Sequence, residues 1–152
     1  MPLIKYEDIY QKALTMIDDL ELATYTKEDF YTVLCEWLHT TISVPLLRMK
    51  FSSFILDDNI GELSFSLNNS VDDTYDSEFV KTILAKGIII NYFPSKLESS
   101  KNIAVMVGGK EEKTLLNTYS KNMERLTKLQ IEWERDLSRH TYYFGDYGGS
   151  NG

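Results

Sequence analysis

Gly109-Lys110 is the pair in this chain that comes nearest to a phosphate-binding loop. Ala104 stands where the first glycine of such a loop belongs, and Glu111 stands where Ser or Thr should follow the lysine, so the phosphate cradle is not made. Asp57-x-Asn59-x-Gly61 has the flavour of a calcium loop. Its glycine comes one place early, and Asn68 occupies the position that needs a bidentate glutamate, so a turn between strands is the better reading. The doublets Asp18-Asp19, Asp57-Asp58 and Asp72-Asp73 could do acid–base work only if burial separated their pKa values, and they read as solvated caps and turns. His39 could serve as a base with Ser43 one helical turn on, but no orienting carboxylate accompanies them in sequence. His140 reads as a dipole partner at a helix C-terminus. Cys35 is the sole cysteine and His39 and His140 the sole histidines, so neither an intramolecular disulfide nor a Cys/His zinc site is expected. Cys35 reads as a small buried hydrophobe beside Trp37 and Leu38.

No motif therefore specifies a reaction, and the expectation is a protein that is not an enzyme, with no cofactor and no metal. The chain has 152 residues, enough for one domain with a sizeable core. Its net charge is −7 and its sequence pI about 4.8. That balance argues against a protein that grips nucleic acid by its phosphates. No apolar run is long enough to cross a bilayer, and the N-terminus MPLIKYEDIY has no secretory character, which places the chain in a cytoplasm or in something assembled there.

The elements that must position any site follow from periodicity. The densest is Asp76–Pro94, with Phe79, Val80, Ile83, Leu84, Gly87, Ile88, Ile90 and Tyr92 at helical steps. It is capped at Asp76 or Ser77, closes at Pro94, and reads as a central helix. Ile83, Leu84, Ile88, Ile90 and Phe93 are its core-organising residues, and Gly87 marks a place where another helix crosses closely. Before it, Tyr6–Asp19 forms an amphipathic helix. A second helix follows, with Thr26 as N-cap and Asp29 completing a weak capping box. It ends or kinks near Ser43, ahead of Pro45, with Leu46–Met49 as a partial turn. Phe51–Leu56 and Glu62–Leu67 read as a β-hairpin, which must lean on the helices or on a neighbouring subunit.

After Pro94, residues 95–110 read as a long loop carrying the apolar patch Ile103–Val107. The last helix, about Glu111–Arg139, presents a narrow stripe of Leu115, Tyr119, Met123, Leu126, Trp133 and Leu137. At 1.5 Å per residue it runs roughly 40 Å and overhangs its own core. The expected fold is mainly α: a four-helix bundle-like domain over residues 1–140 with a hairpin at about 51–67 between the second and third helices, a long C-terminal helix, and an extended aromatic and glycine-rich tail over 141–152. Tyr142, Tyr143, Phe144 and Tyr147 suit that tail to docking on another protein, in preference to folding back on its own core.

This order of elements resembles the head-tail adaptor (connector) proteins in the neck of tailed bacteriophages. The likeness is carried by Tyr6-Glu7-Asp8-Ile9-Tyr10, by Ile88–Lys96 (IIINYFPSK), by Thr118-Tyr119-Ser120-Lys121-Asn122 and by His140-Thr141-Tyr142-Tyr143-Phe144. Pro45, Gly87 and the glycine-rich end depart from the pattern. The resemblance implies a virion structural protein, a homo-oligomeric ring of twelve subunits docked on the portal and extending the DNA channel, with the next neck or tail protein below. DNA would pass without specific binding, no membrane would be involved, and assembly would occur in the host bacterial cytoplasm. It also implies that Tyr142, Tyr143, Phe144 and Tyr147 reach the portal. Two other readings stand beside it: a head- or tail-completion protein of the same neck, and a small cytoplasmic helical regulator that binds one partner.

Overall fold

The computed structural model describes residues 2–20 and 30–144, without the side chains of 30–32, 100, 103–104 and 142–144. In chain order the elements are β1 (Leu3–Lys5), α1 (Tyr6–Asp19), α2 (Phe30–Ile42), α3 (Pro45–Arg48), β2 (Phe51–Asp57), β3 (Glu62–Leu67), α4 (Asp73–Val107) and α5 (Gly109–Phe144). The protein is mainly helical with a small three-stranded antiparallel sheet. Thr26 and Asp29, expected to cap α2, lie outside the described residues, as do Tyr147 and the glycine-rich end. No helix among the described residues is long and apolar enough to cross a membrane.

β3 is the middle strand, paired antiparallel to β2 on one side and to β1 on the other. Its alternation places Leu63, Phe65 and Leu67 in the core. Support for the hairpin thus includes a third strand from its own N-terminus, with Ile4 opposite Leu63. Three residues are too few to show a period, which is why β1 escapes sequence reading. Phe51 meets both Phe54 and Phe65 edge-on, at ring distances of 4.8 and 6.0 Å.

α4 packs against α1, α2 and α5 and is the centre of one continuous core. Ile83, Leu84, Ile88 and Phe93 are buried, and Ile90 is partly buried against them. Gly87 lies where three helices meet: a Cβ there would sit 2.3 Å from Thr41 Cγ2 on α2 and 3.4 Å from the Trp133 ring on α5. The same junction is tied by polar contacts. Asn91 Nδ2 donates to the Gly87 carbonyl at 2.7 Å and to Thr41 Oγ1 at 3.3 Å, and Trp133 Nε1 donates to the Ile83 carbonyl at 2.9 Å.

Both ends of α4 differ from the sequence expectation. It starts at Asp73 and not near Asp76 or Ser77, because Asp72 caps it: Oδ1 accepts the Tyr75 N–H at 2.7 Å. Asp76 is buried inside the first turns and holds the preceding loop, accepting from Ser70 Oγ at 2.5 Å and from the Val71 N–H at 3.0 Å. Pro94 does not end the helix, which continues to Val107. A proline inside a helix costs about 3 kcal/mol. Phe93 and Leu97 on either side are both fully buried, and each such burial contributes about 1.5–3 kcal/mol, enough together to offset the break.

The expected long loop over residues 95–110 is therefore helix up to Val107, and the reversal is made by Gly108 and Gly109 at φ of 73° and 69°. Side chains other than glycine resist that left-handed backbone, so the glycine pair sets the turn. α5 then runs 36 residues to Phe144. Tyr142, Tyr143 and Phe144 consequently sit on its last turn, and the extended segment expected from Thr141 does not start there. Arg125 Nη1 donates to the Leu20 carbonyl at 3.0 Å, fixing α5 to the end of α1.

Candidate functional site

Chemistry-bearing side chains converge where the hairpin turn meets the first two helices. Cys35 and His39 are one helical turn apart on α2 and so share a face. Tyr6 and Tyr10 are likewise one turn apart on α1. Asp58 arrives from the β2–β3 turn, whose shape is set locally: Asp57 Oδ1 accepts the Asn59 N–H at 3.1 Å, and the Asp57 carbonyl accepts the Gly61 N–H at 2.9 Å. The Gly61 carbonyl in turn accepts the Tyr6 N–H at 2.8 Å, which locks the turn to the start of α1.

Asp58 is the hub. Its Oδ1 accepts the Tyr6 hydroxyl at 2.6 Å, and His39 Nε2 lies 2.9 Å from both carboxylate oxygens. Hydrogen bonds from Tyr6 and then His39 hold this carboxyl below the usual carboxylate range. Burial, then Asp58, pushes the Tyr6 hydroxyl far up; burial, then Cys35 and Asp58, does the same to Tyr10. The Cys35 thiol is also pushed up, by burial first and then by Asp58. The donor atoms of Cys35, His39 and Asp58 all lie within 4.8 Å of one another.

A Cys–His–carboxylate set can be a nucleophilic triad when the imidazole takes the thiol proton. Here the Nε2 atom faces the carboxylate, and the thiol is held protonated, which is the opposite of an activated cysteine. The arrangement is better suited to binding a cation. Sequence reading missed it because the orienting carboxylate for His39 comes from a turn 19 residues on, and Ser43, the partner considered for His39, gives its hydroxyl to the His39 carbonyl at 2.9 Å. The i,i+4 pair Cys35/His39 was the available signal.

A second feature is a cleft of about 230 Å³ between α4 and α5, lined by Tyr75, Phe79, Thr82, Ile83, Asp136, Arg139 and His140. His140 is 3% exposed and stacks on Phe79 at 4.1 Å. Burial pulls its pKa down, with opposition from Asp76 and some help from Lys50. Lys50 itself donates to Thr141 Oγ1, beside His140 near the end of α5. Lys86 bridges the two helices, 2.8 Å from Asp136 and 3.1 Å from Glu132.

The third feature is the far end of the α4–α5 hairpin. Between Leu97 and Asn122 no described side chain is buried. Tyr119 holds the two helices together there, donating to Glu98 Oε2 at 3.1 Å, with Lys101 5.3 Å above its ring. At the tip Val105, Met106 and Val107 are 59%, 86% and 49% exposed. Comparison with protein-family models, curated proteins and solved structures finds no significant match to this chain.

Proposed function

We propose that this chain is an assembly protein of a phage neck: a head-tail adaptor whose four-helix, bundle-like body forms a ring on the portal and extends the DNA channel towards the tail. One observation carries the reading beyond the sequence resemblance. Between Leu97 and Asn122 the α4–α5 hairpin buries no described side chain, and it presents Val105, Met106 and Val107 at its end. A soluble monomer gains nothing from holding aliphatic side chains in water at the tip of a helical arm, whereas a subunit gains a contact. A ring uses unlike faces of each subunit, so the arm of one would lie on a different surface of the next.

In this reading Tyr142, Tyr143, Phe144 and Tyr147 form the portal-facing end. The net charge of −7 suits a channel along which DNA slides without being held. Mass photometry and negative-stain electron microscopy of the purified chain with its cognate portal provide the test. Ring-shaped particles seated on the portal, weakened by truncation after His140, support the adaptor. Rings that ignore the portal would turn the assignment to a head- or tail-completion protein. A monomer indifferent to the portal would reject both, and leave the small partner-binding regulator.

A further inference from the structure

We propose that Cys35, His39 and Asp58 form a binding site for one divalent transition-metal ion of the zinc class, a site independent of whether the chain assembles into a ring.

Thiolate, imidazole and carboxylate are the three side-chain donors that zinc accepts, and three protein ligands with a water in fourth place is a recurring arrangement. Donors bound to a common tetrahedral zinc at 2.0–2.3 Å are about 3.5 Å apart. The three atoms here start within 4.8 Å of one another, and His39 already touches both Asp58 oxygens at 2.9 Å. The His39 and Asp58 side chains are 46% and 51% exposed, so an ion and its water can enter from solvent.

Among the described residues, no lysine or arginine pairs with Asp58. Its carboxylate instead faces a thiol and a tyrosine hydroxyl, with Tyr10 behind. A divalent ion would take the place of the His39–Asp58 hydrogen bond and of the thiol proton of Cys35. Tyr6 would remain as the outer partner that orients the carboxylate, a role whose loss commonly weakens metal binding 10–100-fold. The competing view is that these hydrogen bonds only pin the hairpin turn to α1 and α2.

Cobalt(II) titration of the full-length, reduced, metal-free chain distinguishes the two. Expected are one equivalent of cobalt bound, tetrahedral ligand-field bands, and a thiolate-to-cobalt charge-transfer absorption, all bleached by zinc. Binding should tighten as pH rises, since the thiol must lose its proton. C35S should abolish the charge-transfer absorption, H39A and D58N should each weaken binding by at least about tenfold, Y6F by about 10–100-fold, and H140A should have no effect. Circular dichroism of each variant shows whether it is folded. Should D58N be unfolded, H39A decides, because His39 lies at the surface. Absence of the charge-transfer absorption in the folded wild type, or its persistence at unchanged affinity in H39A and D58N, would overturn the proposal; the latter would mean an adventitious ion on a single thiol.

Discussion

The two halves of α4 belong to one helix and obey different rules. From Val80 to Leu97 it packs against α1, α2 and α5, and among these residues Pro94 and Ser95 alone are exposed. From Glu98 to Val107 no described side chain is buried, and Glu98 meets Tyr119 of α5. The first half stabilises the fold; the second adds little to it and yet ends in three exposed aliphatic residues. In the adaptor proposed above, stability and contact with a partner would be placed at opposite ends of one helix, where a change at one end need not disturb the other.

The contrast can be broken most forcefully in the body. Phe93 is fully buried next to Pro94, so Phe93→Ala should cost about 3–5 kcal/mol by denaturant unfolding, through lost burial and the cavity left behind. A loss under about 1 kcal/mol would mean that this region is not the core. Next in size is Gly87→Ala. Alanine favours a helix interior by up to about 1 kcal/mol over glycine. Its Cβ would nonetheless collide with Thr41 Cγ2, which is buried, β-branched and held by the Trp37 carbonyl at 2.8 Å. A net loss of about 1–3 kcal/mol is expected, with partial recovery in Gly87→Ala/Thr41→Ser, where the offending methyl is gone. No recovery would place the strain elsewhere.

A smaller effect depends on pH. His140 is buried and its folded pKa lies below the unfolded value of about 6.5. Between those two values the unfolded chain binds more protons. His140 therefore adds stability that is complete above about pH 6.5 and is lost as pH falls through the folded value. His140→Phe, which keeps the ring against Phe79, should flatten that part of the stability–pH curve; an unaltered slope would assign it to other groups. Smallest of all is Met106→Ser at the tip, expected to change stability by no more than about 0.5 kcal/mol.

Much of the body was legible because burial imposes a period. The apolar density of Ile83–Phe93 marked the central helix, and Gly87 marked the helix crossing that the Thr41 contact now makes concrete. Pro94 misled because a local penalty was read without the tertiary burial of Phe93 and Leu97 that outweighs it. Residues 98–102 are too polar to look like a helix in a core, and no described side chain among them is buried. The Cys35–His39–Asp58 cluster was hidden for a different reason. Two of its members share a helix face, but the third is brought in by the fold of a turn, and no sequence spacing encodes that approach.

The central claim is that the arm of α4 and α5 is an assembly surface separate from the folding core. Its most direct test is mass photometry with the cognate portal, comparing wild type with Val105→Ser/Met106→Ser at matched thermal stability. The expected result is portal-bound oligomers for the wild type and isolated monomers for the double variant, with both melting at the same temperature. Equal assembly by the two proteins, or none by either, would contradict it.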